Sequence, residues 1–171
     1  KAAAGERIYV RGGAYTEAIR IDKAGTLENP FVVAAYPGEQ PVLDGEYRLP
    51  APPRTGWVYC NNAVTPPRCY HYGALVAISG DYVLFEGFEI MRSAGRGIVI
   101  SRTGGRPNTV WVRNNKIHDI RDAGTLVYYA DNVTFERNQV WASGDFAPYA
   151  RGASQLNWPV AVSGRATNNT L

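Results

Sequence analysis

The chain has 171 residues, 45% of them hydrophobic and 19% charged, with 18 basic against 15 acidic side chains and a net charge of +3. That length and composition suit one cored domain and exclude a disordered acidic tail or a polybasic arm. No run of about 18 apolar residues occurs, so no helical membrane span is expected. The 18 glycines, 11 prolines and 11 tyrosines point to turns and strands and away from a helical bundle.

Arginine supplies all the cations except Lys1, Lys23 and Lys116. Its planar fork suits a carboxylate or phosphate, so an acidic sugar is one expected partner and solvated turn arginines are the plainer reading. The arginines are scattered, without interleaved aromatics, and no nucleic-acid partner is expected. The only methionine is Met91, so the chain reads as a processed or excised fragment, one domain over 1–171 truncated at one or both ends.

A proline-rich excursion over 47–72 contains Cys60 and Cys69, which flank Pro66 and Pro67. A disulfide closing this loop is expected, which implies an oxidising compartment; two free thiols are the alternative. A metal site would need more ligands than His71 supplies.

Beyond the excursion the chain repeats itself. YVLFEGFEI (82–90), TVWVRNNKI (109–117) and NVTFERNQV (132–140) align with Val83, Val110 and Val133 in one column, spaced by 27 and 23 residues. Apolar positions alternate within each unit, as in strands with one buried face. Asn115 and Asn138 share a position that the first unit gives to Phe88, and a structural asparagine ladder is expected there. A shorter element accompanies each unit: ALVAIS, GIVIS, GTLVYYA and PVAVSG. Three short strands per period of about 25 residues fit one coil of a parallel β-helix. An antiparallel sandwich is the alternative, and a leucine-rich repeat would need more leucine.

The opening, AAAGERIYVRGGAYTEAIRI with GTLENPFVVAAYPGEQPVLDG, together with the later repeats, resembles the pectate-lyase-like superfamily and its branch of alginate and chondroitin lyases. The resemblance implies an all-β, right-handed, single-stranded parallel β-helix of about five to six coils; a helix usually caps the amino-terminal end in that superfamily, and here only AAAG stands as its remnant. It also implies a substrate groove along the sheet made by the shorter elements.

On that sheet the apolar pattern places Val76, Ile78, Ile98, Ile100, Leu126, Tyr128, Val160 and Val162 inward. Outward come Ala77, Ser79, Val99, Ser101, Val127, Tyr129, Ala161 and Ser163, a face without ionisable acids or bases other than tyrosine. Chemistry would then come from bordering loops. IHDIRDAG (117–124) concentrates His118, Asp119, Arg121 and Asp122 ahead of Tyr129. Uronate elimination needs a cation at the carboxylate, a base and an acid, which Arg121, His118 and Tyr129 would supply. Asp119 and Asp122 would instead serve as a hydrolytic carboxylate pair. A solvated turn with Asp–Arg pairing is the plainer reading, and calcium on Asp119, Asp122 and Asp131 a third. Otherwise no metal or cofactor is expected.

A second insertion over 143–158 offers Tyr149, Arg151, Asn157 and Trp158 as sugar contacts, or as cover for the coil below. The expected function is that of a secreted or cell-surface carbohydrate-active protein, lyase- or glycosidase-like, acting on or binding an acidic polysaccharide. A non-catalytic scaffold, adhesin or sugar-binding module is the alternative.

Overall fold

The computed structural model describes residues 5–51, 58–61, 68–71, 73–102, 105–143 and 160–163, of which 58–61, 68–71 and 160–163 are described as backbone. It contains only strands among these residues, arranged as three five-stranded parallel sheets and one hairpin.

The first sheet joins β1 (Arg7–Val10), β4 (Phe31–Ala35), β9 (Val83–Glu86), β12 (Asn108–Arg113) and β15 (Asp131–Glu136). The second joins β2 (Gly13–Tyr15), β5 (Pro41–Asp44), β10 (Glu89–Ser93), β13 (Lys116–Ile120) and β16 (Gln139–Ser143). The third joins β3 (Ile19–Ile21), β8 (Ala74–Ile78), β11 (Arg96–Ile100), β14 (Thr125–Tyr128) and β17 (Val160–Ser163). Each coil thus visits the three sheets in turn, and five coils stack. The antiparallel hairpin of β6 (Val58–Asn61) and β7 (Arg68–His71) interrupts the second coil.

The repeat columns are the register. Val83, Val110 and Val133 are paired neighbours, as are Phe85, Val112 and Phe135. All face an interior that also holds Ile90, Ile117, Val76, Ile78, Ile98 and Ile100. Burying one Ile or Val column stabilises each coil only through the coils beside it, as expected of a solenoid.

The bend between first and second sheets takes two residues. Gly87, Asn114 and Arg137 occupy it at positive φ (85°, 57° and 53°). A Cβ at Gly87 would come 2.7 Å from the Ala35 Cβ, so only glycine fits that coil. Phe88, Asn115 and Asn138 follow. The Phe88 N–H donates to Asn115 Oδ1 (3.0 Å), and Asn138 Oδ1 accepts both the Asn115 N–H and Nδ2 (3.0 Å each). Asn138 Nδ2 donates to the Val112 carbonyl at 2.8 Å. The amides thereby satisfy backbone groups that the bend leaves without ladder partners.

One strand corrects the alternation. In β14 the inward residues are Thr125 and Val127, which pair with Ile98 and Ile100, while Tyr128 turns outward and is 44% exposed. Leu126 pairs with outward Val99. The sequence TLVYY is apolar or aromatic after its first residue, so hydrophobicity sets no phase. The phase follows Gly97 and Gly124 instead. A Cβ on Gly97 would lie 2.3 Å from the Gly124 carbonyl oxygen, and the Ile98 N–H donates to that oxygen at 2.9 Å. A slip of one residue exchanges the two faces.

Candidate functional site

Two outward surfaces of the coils carry the residues singled out from the sequence. On the second sheet, His118 lies in β13, a strand rather than a bordering loop. It shares an outward column with Asp44, Met91 and Trp141. Asp119 follows at a φ of 55°, a kink repeated at Arg92 and Ala142. After the kink Ser93, Ile120 and Ser143 are buried.

His118 is only 8% exposed. Its Nδ1 lies 2.7 Å from an Asp119 oxygen and its Nε2 lies 3.0 Å from Glu89 Oε1. Trp141 stacks on the imidazole with ring centres 4.2 Å apart. One coil back, Arg92 pairs with Asp44, its Nε donating to Oδ1 at 2.8 Å. The Arg92 hydrogen bond, ahead of one from the Glu46 N–H, holds the Asp44 carboxyl below the usual range. Both imidazole nitrogens are therefore occupied, and the tryptophan covers the ring.

The rest of the 117–124 group disperses. Arg121 sets its guanidinium 4.8 Å from the centre of the Tyr47 ring. Asp122 accepts from Arg96 Nε at 2.9 Å. Tyr129 lies at the far end of β14, beyond four strand residues, or about 13 Å at the usual rise. Of the proposed elimination and hydrolysis groups, only His118 and Asp119 are brought together. Asp119, Asp122 and Asp131 also separate, each facing a different partner: His118, Arg96 and Arg106. Among the described residues no set of three His, Cys, Asp or Glu side chains is placed to hold a metal.

The third sheet presents the other surface. Arg20, Ala77, Val99 and Leu126 form one outward column, and Ala161 shares its register. Ser101 and Tyr128 belong to the next column, Tyr128 in register with Ser163. The face is not bare of charge, because β3 joins the sheet and adds exposed Arg20. Among the described residues eight arginines pair with carboxylates, and Arg20 makes no such pair. Tyr128 and Tyr129 meet edge-on, ring centres 4.4 Å apart and planes at 86°, with 44% and 40% exposure. Negative charge on Tyr129, then a hydrogen bond between the two side chains, raises the Tyr128 phenol above its ordinary value.

Glu89, Trp141 and Arg20 were not singled out from the sequence, and Tyr128 was expected to face inward. The first two carried a signal: they flank the columns of Ile90 and Val140, beside Lys116 and His118. Arg20 carried none, because its strand pairs with β8 across the whole hairpin excursion. Tyr149, Arg151, Asn157 and Trp158 lie outside the described residues, as do the side chains of Cys60 and Cys69. The hairpin backbone pairs Cys60 with Cys69 directly.

Residues 60–170, more than half of the chain, match the family described as right handed beta helix region. The chain belongs to that family. The β-helix chain is 49% identical over 55 residues to pectate lyase PEL9 of Emericella nidulans, a match covering 31% of this chain and 13% of that protein. Its fold is similar to the crystal structure of alginate lyase from Paenibacillus sp. str. FPU-7, with a TM-score of 0.51 and 15% identity. That likeness covers 98% of this chain and 58% of the lyase. The chain therefore spans only part of either relative.

Proposed function

We propose that this β-helix is a polysaccharide-lyase-like, secreted or cell-surface unit that holds an acidic polysaccharide across the outward face of its third sheet. The observation that carries the reading is the column of Arg20, Ala77 and Val99, a floor crossing three coils and continued by buried Leu126, with a cation at one end that has no carboxylate partner among the described residues. A floor of small and aliphatic side chains admits a ribbon-like sugar chain, and a guanidinium without a carboxylate partner among the described residues can meet a uronate carboxylate. The similarity to a pectate lyase and the likeness in fold to an alginate lyase support the same substrate class.

Elimination from a uronate needs a cation at the carboxylate, a base for the neighbouring proton and an acid for the leaving oxygen. Arg20 is the candidate cation at one end of this face, and Tyr129, three coils or about 14 Å away, is a candidate acid for a different sugar unit of the same chain. The insertion over 143–158 falls between β16 and β17, the crossing into the third sheet, and Tyr149, Arg151, Asn157 and Trp158 are its proposed sugar contacts. A Cys60–Cys69 disulfide belongs to the same reading, supported by their opposed positions in the hairpin. Such a bridge fits an exported protein.

The test is retention of the chain on pectate or alginate against a neutral polysaccharide such as dextran. Selective retention on an acidic polymer supports the reading, and equal behaviour on all three refutes it. A rise in ultraviolet absorbance from unsaturated uronate in the same panel separates cleavage from binding.

A further inference from the structure

We infer that Tyr128 is the residue that seats a pyranose ring on the third sheet, within a hydroxyl column formed with Ser79 and Ser101 that meets one sugar unit per coil. The inference rests on the third-sheet reading above and adds the contacts that would set register and specificity. Tyr128 continues the column of Ser79 and Ser101, because Ile78 pairs with Ile100, and Ile100 with Val127. Successive coils are separated by about 4.8 Å, close to the length of one pyranose unit in an extended chain. A polysaccharide lying along the solenoid axis would therefore meet these hydroxyls in step with its own residues.

The side chains are free to act. Neither Ser79 nor Ser101 has its hydroxyl hydrogen-bonded to any described residue, and both are half-buried. Tyr128 is 44% exposed, and its edge-on contact with Tyr129 leaves at least one face of each ring uncovered. The electron-rich face of a phenol packs on the electron-poor C–H face of a pyranose, while its hydroxyl stays at the rim for a polar contact. The Tyr128 hydroxyl shares a hydrogen bond with Tyr129, and its oxygen keeps acceptor capacity for a sugar hydroxyl. The adjoining Ala77 and Val99 are short, half-buried side chains in the neighbouring outward column, and Leu126 beside Tyr128 is buried.

The experiment is calorimetric titration of the chain with tetragalacturonate and with tetramannuronate. Whichever binds wild type should bind Tyr128→Ala about tenfold more weakly, the loss of one stacked ring, with the unfolding midpoint unchanged. Tyr128→Phe should retain most of the affinity, and Ser101→Ala should lose about threefold through one hydrogen bond. Wild-type affinity in Tyr128→Ala would overturn the inference while leaving the third-sheet reading intact. A loss as large in Tyr128→Phe as in Tyr128→Ala would overturn the stacking role. Failure of wild type to bind either tetrasaccharide would remove the underlying reading and this inference with it.

Discussion

The outward faces of the second and third sheets are built on the same coils, yet they treat polar groups in opposite ways. The second-sheet face is richer in ionisable side chains, and the structure pairs them off: Arg92 with Asp44, and His118 with both Glu89 and Asp119 beneath Trp141. The third-sheet face has few polar groups, but Arg20, Ser79 and Ser101 stay unengaged among the described residues, and two tyrosines stand exposed. A concentration of acids, bases and histidine in sequence marks where the solenoid ties its coils together. A ligand needs groups whose hydrogen-bonding capacity is unspent, and these lie on the quieter face.

The largest effect is expected at the residue that sets the third sheet's phase. Gly97→Ala would force a methyl against the Gly124 oxygen at 2.3 Å and Ile117 Cγ2 at 2.9 Å. Chemical denaturation should show a loss of about 3 kcal/mol, the upper end for overpacking. A neutral substitution would mean that the glycines do not fix the register, and the outward placement of Tyr128 would lose its basis.

Next come residues that tie coils through polar groups. Asn115→Ala strands the Phe88 N–H and the backbone partners of a residue only 1% exposed, and should cost about 2 kcal/mol. His118→Ala removes the contacts to Glu89 and Asp119 and the support for Trp141, and should also cost about 2 kcal/mol by the same measurement. Unchanged stability with lost polysaccharide affinity in His118→Ala would transfer the site to the second sheet.

The smallest effect is a pH dependence confined to the second face. Arg92 holds the Asp44 carboxyl below its unfolded value of about 3.9, so the pair stabilises the fold above that value. The contribution fades as pH falls through the depressed folded value. Wild type should therefore exceed Asp44→Asn in stability near neutrality, and the gap should close on acidification below about pH 4. A gap that persists in acid would show that hydrogen bonding to Glu46, not charge, is what Asp44 provides.

Much of this fold was legible because its columns are sequence columns. Val83, Val110 and Val133 recur at the spacing that the coils impose, and Asn115 and Asn138 recur where the bend needs amides. The β14 phase was not legible, since Leu126, Val127 and Tyr128 are all hydrophobic and the deciding contact is glycine to backbone between coils. The surroundings of His118 were legible only in part. Glu89 and Trp141 occupy neighbouring units, but stacking and pairing depend on how close the coils lie. Arg20 escaped because β3 is separated from its partner strand by a whole coil-breaking insertion.

The central claim is that ligand occupies the third-sheet face and not the second. Methyl chemical-shift mapping with tetragalacturonate or tetramannuronate tests it most directly, because the faces carry different methyl groups. Ala77 and Val99 should shift as the tetrasaccharide is added, while Met91 and Ala142 on the second sheet stay in place. Shifts confined to Met91 and Ala142 would contradict it.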